Sequence, residues 1–535
     1  MKNSLSIISC FILISCFYTT IFAQEKTKIT IERAGFFEKD KKKYPDASVL
    51  TRDKDNKVLI SHDGVLMTCN QAFFYEDSNY IEAYGEVSLN QGDTLDLKAN
   101  YLEYDGNTKV VFAKGKVVLF EPGSRLYTES LYFDRNKQEA YYNEKGKLIR
   151  NSTDTIFSLK GNFFVDEKKY RFKKNVDLRT PKYNIYSDVL DYYTETGKSY
   201  FFGPTDIITD NSKIYCEIGY YDTTNDNGYF IKNSKIDFEE YKINGDSIYF
   251  DKTINYASAT NNIKILDTIN KTLTTGHYAE IHRDIDSMFI QNRALIASFK
   301  DRDTTYIHGE SIIITGKENE QIIRAFMNGK ILRNNLSGKC DSIHFNQITG
   351  IAQLINKHNS IESRSRKIKK PIIWNNNSQI TGDSIQLKFD TKKNIIDSLF
   401  VFDNAFIIEK DSMGLGFNQI SGKKLKGNFI DGKLKEVDII KNAESIYYLR
   451  NSENELIGID KSKSAKIKIF ISDQNIDTFT KINQIDGKVY PEDEFNENDK
   501  LLKGFYFRED EIIRSIDDLF LEDKMFRLIK IKNLE

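Results

Sequence analysis

The sequence is poor in the residues that most often carry redox chemistry and metal binding. Its 535 residues include five cysteines, six histidines, six prolines and one tryptophan. Cys69, Cys216 and Cys340, which lie beyond the N-terminal segment, show no metal-ligand spacing, and we interpret them as small buried side chains. The scarcity of proline leaves long β ladders uninterrupted. A net charge of −1 argues against a nucleic-acid partner, which would require a basic face.

Familiar catalytic motifs are also absent from the sequence. It has no Gly-Xaa-Ser-Xaa-Gly elbow, no phosphate-binding loop and no His-Glu-Xaa-Xaa-His. His277 and His282, near Asp284 and Asp286, come nearest to a metal cluster, but a spacing of five along a strand places the two rings on opposite faces. We therefore predict a protein that is not an enzyme and has no metal or other cofactor.

The first 23 residues predict a cleavable signal peptide. Lys2 supplies the positive start, residues 5–18 are apolar, and Ala23 is the small residue before the cleavage site. Residues 13–16, Leu-Ile-Ser-Cys, also resemble a lipobox, so a lipoprotein acylated at Cys16 is the alternative. No later stretch reaches the roughly 18 apolar residues of a membrane helix. We expect an exported protein that is soluble or peripherally attached.

One short phrase, clearest at Asn100–Asp105, recurs along most of the chain. It consists of a small residue, an acidic or polar residue, a small or aromatic residue, an aliphatic residue, any residue and an aromatic residue. Its acidic or polar position falls at residues 71, 100, 129, 162, 188, 217, 246, 277, 310, 341, 383 and 423. Such a repeat indicates an array in which each unit packs on its neighbours.

The apolar pattern changes phase inside each copy of the phrase. Leu95, Leu97 and Ala99 alternate with polar residues, whereas Leu102 and Tyr104 follow with the opposite parity. A strand keeps its apolar face through such a shift only by a bend or bulge. We place the bulge at the small residue beside each shift, at Ala99, Gly245, Gly309 and Gly382.

The predicted fold is therefore all-β. We expect an elongated antiparallel β-jellyroll, a V-shaped two-sheet sandwich of about twelve two-strand repeats of about 29 residues. The repeated acidic residues are interpreted as structural residues at strand ends, and not as a catalytic ladder. Inward apolar residues either close into a dry core or line a slot for an apolar ligand. The candidate lipid-groove residues are Leu95, Leu97, Leu102, Tyr104, Leu131, Phe133, Ile248, Phe250, Ile312, Ile343, Phe345, Ile385 and Leu387.

The same pattern predicts the division of the chain. The predicted segments are the signal peptide (1–23), a polar lead-in (24–46), jellyroll repeats (47–356), a basic insert (357–370), further jellyroll (371–490) and a C-terminal cap or docking tail (491–535). The basic insert is interpreted as a solvated loop, with contact to an acidic partner or lipid headgroup as the alternative. Within the tail, Ser515–Phe520 suggests a short helix.

Several phrases resemble the OstA-like proteins of Bacteroidetes, relatives of the LptA and organic-solvent-tolerance family. The phrases are His62–Val65, Phe73–Tyr75, Gly92–Leu95, Tyr104–Gly106, Pro371–Trp374, Ser378–Gln379, Thr381–Ser384, Asn418–Gly422 and Asn442–Leu449. The resemblance extends over residues 45–520. None of these phrases is catalytic.

The resemblance implies a β-jellyroll whose open apolar groove passes lipopolysaccharide across the periplasm toward the outer membrane. The implied partners are lipopolysaccharide, or its lipid A acyl chains, and related jellyroll modules at the inner and outer membranes. The implied location is the periplasm, with or without association with either membrane. Because this chain is several times longer than a single bridge module, we expect it to span more of the periplasm by itself.

Two other functions stay open on the sequence. An extracellular β-solenoid acting on polysaccharide would place carboxylates together in a surface cleft. A structural scaffold would have a closed core and no ligand. Whether the two sheets are open along one edge separates these hypotheses.

Overall fold

The computed structural model describes residues 27–222, 224–299, 303–317, 319–356, 370–393, 395–411, 413, 416–472 and 475–532. In these ranges the chain forms 36 β-strands and six short 3-10 helices, with no α-helix. The predicted all-β, antiparallel jellyroll class is confirmed. No helix of the described residues is long and apolar enough to cross a membrane. The predicted signal peptide and residues 357–369 of the basic insert lie outside the described residues.

The chain divides into two compact units, residues 1–169 and 170–535. The strands of the first unit are β1 (Thr30–Arg33), β2 (Phe36–Glu38), β3 (Ser48–Thr51), β4 (Val58–His62), β5 (Val65–Cys69), β6 (Gln71–Tyr75), β7 (Tyr80–Gln91), β8 (Leu95–Asp105), β9 (Val110–Glu121), β10 (Ser124–Asp134), β11 (Glu139–Tyr142), β12 (Gly146–Arg150), β13 (Asp154–Ser158) and β14 (Lys160–Phe164). Two of these strands, β1 and β2, lie in the segment that the sequence suggested was a polar lead-in. The other predicted segment limits stay predictions.

The second unit contains the longer strands. They are β15 (Lys169–Arg179), which begins at the boundary, β16 (Tyr183–Tyr193), β17 (Lys198–Thr209), β18 (Ser212–Asp222), β19 (Asn227–Phe238), β20 (Tyr241–Asp251), β21 (Tyr256–Asp267), β22 (Thr272–His282), β23 (Ser287–Ser298), β24 (Thr305–Thr315), β25 (Ile322–Arg333), β26 (Leu336–Asn346), β27 (Ile351–Ile355), β28 (Ile372–Asn375), β29 (Ser378–Thr381), β30 (Ser384–Asp390), β31 (Ile395–Lys410), β32 (Phe417–Ile430), β33 (Lys433–Arg450), β34 (Leu456–Ser472), β35 (Asn475–Ile482) and β36 (Asp486–Tyr490). The 3-10 helices are Lys252–Ile254, Arg283–Ile285, Glu492–Glu494, Glu497–Asp499, Glu509–Glu511 and Asp517–Phe520. The last of these falls in the predicted short helix.

The phase shift read from the sequence is present in the strands. In β8, Leu95, Leu97 and Ala99 are buried, and burial then passes to Leu102 and Tyr104. Each long strand therefore has two halves that both turn apolar side chains inward. In the second unit the two halves of successive strands pack into one core cluster that runs from β20 to β34.

The bulge that produces the shift lies in the neighbouring strand. From β16 to β26, strands of 11 and 12 residues alternate, and each 12-residue strand carries the extra residue. In β21 the bulge is formed by Asn261 and Asn262, whose φ angles are 58° and 50°. They lie opposite Gly245 and Asp246 of β20. Gly245 itself is not left-handed. The prediction that the bulge lies at the small residue is therefore wrong, because the bulge lies in the adjacent strand.

These left-handed pairs, called hinges below, recur along the array. They are Gly85–Glu86, Gly115–Lys116, Lys174–Asn175, Lys232–Asn233, Asn261–Asn262, Asn292–Arg293, Met327–Asn328, Asp403–Asn404 and Lys441–Asn442. Asparagine is frequent in them because its short polar side chain tolerates left-handed backbone better than most residues. The acidic or polar position of the repeated phrase faces the hinge of an adjacent strand, in the middle of its own strand and not at its end.

Candidate functional site

Two neighbouring cavities lie in the second unit, between the facing halves of strands β17 to β24. The larger has a volume of about 480 Å³ and the smaller a volume of about 300 Å³. Phe238, Ile243, Ile265, Ile281 and Arg283 line both of them. The cavities therefore adjoin, and they share apolar walls.

One wall of the larger cavity is a ladder of isoleucines on four successive strands. The ladder consists of Ile214, Ile236, Ile243 and Ile265, which pair in register across β18, β19, β20 and β21. β-branched side chains suit a pleated surface that is buried on one face. The wall offers a ligand methyl and methylene groups only.

The opposite wall is made shallow by alanine. Ala259 of β21 pairs directly with Ala279 of β22, and both line the larger cavity with Ala257. In the same row, Phe230 of β19 and Ile290 of β23 occupy the equivalent inward positions and are fully buried. The cavity therefore opens where the row changes from large side chains to small ones.

Charged residues stand at the rim, on the two 3-10 turns that follow β20 and β22. Lys252 and Arg283 line the larger cavity together with Asp251. The Arg283 guanidinium lies 4.4 Å from the centroid of the Phe238 ring. Among the described residues, no carboxylate forms an ion pair with Arg283. A hydrogen bond from the Thr253 side chain lowers the pKa of Asp251, which also caps its turn by accepting from the Thr253 amide at 2.9 Å.

The smaller cavity has a more polar rim. His282, Asp286 and Lys317 line it, with Met288 and Ile314 supplying apolar surface. An apolar interior beside a rim of mixed charge suits an amphiphile, because the tail loses its contact with water while the headgroup keeps polar neighbours.

Two of the predicted groove residues lie at this site. Ile248 and Phe250 line the larger cavity. The others also face inward and line neither of these two cavities: Leu95, Leu97, Leu102, Tyr104, Leu131, Phe133, Ile312, Ile343, Ile385 and Leu387 are buried, and Phe345 is partly buried against the core. Parity in the sequence identifies inward residues, but it does not separate packed interior from open interior.

Sequence reasoning missed the alanine wall, the isoleucine ladder and Arg283. The one local signal is the run Ala257-Ser258-Ala259, in which both inward positions of the strand are small. The other 12-residue strands carry at least one larger residue at these positions, such as Phe201 in β17 or Ile323 in β25. A run of small residues at core positions indicates space, but only the facing wall shows whether that space is filled.

Tyr104 shows why an inward aromatic need not be a lipid contact. Its hydroxyl lies 2.6 Å from Nδ1 of His62 and accepts a hydrogen bond from Nη1 of Arg135 at 2.9 Å. Burial raises the pKa of Tyr104. The side chain is held in a polar network of the first unit.

The cysteines and histidines are distributed among unrelated environments. Cys69, Cys216 and Cys340 are free and buried, and burial raises the pKa of Cys69 and of Cys216 to about 12. His277 lies at the hinge of β21, whereas His282 lies 3.6 Å from Glu280. Across the described ranges, no group of three or more His, Cys, Asp or Glu residues is placed to hold a metal ion.

The described strands form an antiparallel jellyroll of bulged strands. The larger of the two apolar cavities is called the chamber below. Residues 26–188 match the family model of the OstA-like proteins, so this segment is OstA-like, as the resemblance in the sequence predicted. No curated protein matches the chain.

Among solved structures, the chain is similar to LptH from Pseudomonas aeruginosa, described as the LptA-homologous periplasmic component of the conserved lipopolysaccharide transport device. The identity is 14%, the match covers 29% of this chain and 95% of LptH, and the TM-score is 0.21. A likeness at this level carries no argument about the function of this chain.

Proposed function

We propose that the protein is a non-enzymatic, periplasmic lipid-binding bridge that carries lipopolysaccharide toward the outer membrane. The observation that carries the proposal is the isoleucine ladder facing the alanine wall, with about 480 Å³ of space between them. The OstA-like segment and the resemblance in the rest of the sequence support the same reading. The acyl chains of lipid A are the proposed occupants of the chamber.

The energetics of such a site are those of burial. Each methylene group removed from water contributes about 0.8 kcal/mol, without a directional requirement. An acyl chain can therefore slide along the isoleucine ladder without crossing a large barrier. Small-molecule sites typically measure roughly 300–1,000 Å³, so the larger cavity suits one chain better than several.

The rim supplies the polar half of the proposed site. Arg283 and Lys252 stand beside the apolar chamber, where phosphate groups of a lipid headgroup would lie. A guanidinium matches phosphate with paired donors, whereas an ammonium group acts as a point charge. Arg283 is therefore proposed as the main headgroup contact.

The proposed protein partners are related jellyroll modules at the two membranes. Within the second unit, β35 and β36 are the last strands of the described sheet, and each pairs with β34. An unpaired edge can extend a sheet onto another chain.

A closed-core scaffold is the second candidate function. The observation in its favour is the dense packing beyond the cavities, where Ile343, Leu387 and Ile439 are almost completely buried. The polysaccharide hypothesis has no such support, because repeated acids such as Glu217 and Asp246 accept hydrogen bonds from the side chains of hinge asparagines in the next strand.

Ligand binding by delipidated protein tests the proposal. We expect it to bind a fluorescent dodecanoic acid, and purified lipopolysaccharide should displace the probe. A variant with the chamber filled, Ala259→Phe, should lose at least ten-fold in affinity. Failure of the unmodified protein to bind either ligand would favour the scaffold.

A further inference from the structure

The C-terminal segment 499–529, called the strap below, crosses the outer face of the second unit. Leu295 and Leu332 point outward, each next to a core residue, and pack with Ile513 and Leu519 of the strap. Farther along, Phe406 and Ile408 pack against Leu502 in the same manner. The strap runs backward along the array, from β34 to β21.

Two glutamines bind the strap backbone as a neighbouring strand would. Gln419 donates to the carbonyl oxygen of Lys500 at 2.7 Å and accepts from the amide of Leu502 at 2.8 Å. Gln379 makes the same pair of bonds, to Tyr506 and Arg508, at 2.8 Å each. Both glutamines are almost completely buried. A buried amide without partners would be costly, so these residues are committed to the strap.

A buried lysine fastens the middle of the strap. The Lys330 ammonium donates to the carbonyl oxygens of Asp518 at 3.1 Å, Leu519 at 2.9 Å and Leu521. Nearby, Nε2 of the fully buried His308 lies 2.9 Å from the Asp523 carboxylate. Desolvation lowers the pKa of Lys330, and the three carbonyl oxygens stabilise its charge.

Four of the last nine residues of the strap then contact successive strands at the level of their hinges. The contacts are Asn328 of β25 with Asp523 at 3.4 Å, Glu310 of β24 with Lys524 at 3.2 Å, His277 of β22 with Phe526 at 4.5 Å between ring centroids, and Asn261 of β21 with Ile529. Asn261 both donates to the Ile529 carbonyl, at 2.9 Å, and accepts from its amide, at 3.1 Å. Between them, Arg293 of the β23 hinge stacks on Phe520 at 4.4 Å.

The strap contacts three of the hinges directly. Hinges without glycine also occur away from these contacts, as at Lys232–Asn233, where Asn233 donates to the Glu217 carboxylate. Along the strap, Asn261, Arg293 and Asn328 are left-handed with side chains that bind it. A non-glycine residue in this conformation is disfavoured unless its surroundings hold it. At these three hinges the strap supplies part of that support.

Four of the strands held in this way also form the cavities. Ala259 of β21, Ala279 of β22, Met288 of β23 and Ile314 of β24 line one or the other on the inner side of the sheet. The angle at each hinge determines how far the two inner walls stand apart. The strap therefore contacts the outer side of the same strands whose inner side lines the two cavities.

We propose that the strap is a brace on the hinges of β21 to β25, and that its docking controls ligand access to the cavities. The control of access rests on the proposed lipid-binding function, whereas the brace does not. Docked, the strap holds the hinge angle and restricts the opening between the walls. Released at its C-terminal end, it lets the walls separate and a lipid chain pass in or out.

Paired substitutions at the end of the strap test this proposal in the full-length protein. Lys524→Ala with Phe526→Ala removes the contacts with Glu310 and His277, which face the hinges, and leaves the core unchanged. Met525→Ala with Arg527→Ala is the matched control, since Met525 is 98% exposed. Fluorescence of Trp374, the only tryptophan and a neighbour of Phe507 at 5.6 Å, reports that the rest of the strap stays docked.

Two measurements decide the outcome. We expect hydrogen exchange at the hinge amides of β21 to β23, and the uptake rate of fluorescent dodecanoic acid, to rise at least ten-fold in the release variant and to stay unchanged in the control. Unchanged exchange would overturn the brace. Faster exchange with unchanged uptake would overturn the control of access. If no form of the protein takes up the probe, the proposed function fails, and hydrogen exchange still decides the brace.

Discussion

The side-chain amide of Asn262 donates a hydrogen bond to the carboxylate of Asp246 on the neighbouring strand, at 2.9 Å. The same contact joins Asn233 to Glu217 at 2.6 Å and Asn404 to Asp383 at 2.7 Å. In each case the acid belongs to the repeated phrase, and the asparagine to the hinge facing it. The most conspicuous acids of the sequence therefore hold the bulges in the sheet.

Substitution of Asn262 separates the two contributions of a hinge asparagine. Asn262→Ala removes the hydrogen bond and places a disfavoured residue in left-handed backbone, and we expect a loss of about 2 kcal/mol. Asn262→Gly removes only the hydrogen bond and should cost about 1 kcal/mol. Urea unfolding followed by Trp374 fluorescence measures both. Equal losses would contradict the assignment of backbone strain to this position.

The repeat, the all-β class and the inward parity of the strands were predictable from the sequence. Alternation that changes phase between Ala99 and Leu102 requires a bend or bulge whatever the surroundings are. The hinge itself was not predictable, because pairs such as Lys232–Asn233 contain no glycine, and an asparagine permits left-handed backbone without requiring it. Their conformation follows from pairing with the next strand.

The path of the strap and the position of the cavities could not be read from the sequence for a different reason. Asn261 and Ile529 are 268 positions apart, and their contact depends on how the whole sheet is assembled. The chamber depends on Ala259 and Ala279 being paired and facing isoleucines, a relationship among several strands. Local sequence patterns indicate which face of a strand is turned inward. Whether the space beside that face is filled depends on the other strands of the assembled sheet.

Filling the chamber should be tolerated where filling the core is not. Ala259 and Ala325 occupy the same row of the sheet, but only Ala259 lines one of the two cavities. We expect Ala259→Phe to leave stability unchanged or slightly higher. Ala325→Phe should cost about 1–3 kcal/mol through overpacking. Thermal unfolding of both variants checks this, and equal destabilisation would contradict an open chamber at Ala259.

Loss of the rim charge should weaken binding of anionic amphiphiles selectively. We expect Arg283→Gln to reduce affinity for dodecyl phosphate about five-fold, which corresponds to about 1 kcal/mol per basic residue near an anionic headgroup. Affinity for a zwitterionic ligand with the same chain should change little. Lys264→Gln, on the outer side of the same sheet, is the control. The difference should shrink at high salt because screening weakens exposed charges.

The rim turn should loosen in acid. A hydrogen bond from the Thr253 side chain lowers the pKa of Asp251 below its ordinary value of 3.8. A carboxyl group whose pKa is lower in the folded state stabilises the fold at pH values above its unfolded-state pKa. That contribution is lost as the pH falls through its folded-state pKa. We expect the protection factors of the amides in turn 251–255, which correct for the intrinsic pH dependence of hydrogen exchange, to fall below about pH 4, and Asp251→Asn to abolish this dependence. An identical pH profile in the variant would contradict the role of Asp251.

Site-specific photo-crosslinking in cells tests the central claim most directly. A photoreactive residue at Ile265, on the isoleucine ladder, should capture lipopolysaccharide, whereas the same residue at the exposed neighbour Lys264 should not. The two positions are adjacent in β21 and point to opposite faces of the sheet. Capture at Ile265 alone is the result that the account predicts. Capture at Lys264 alone, or at neither position, would contradict lipid carriage through the chamber.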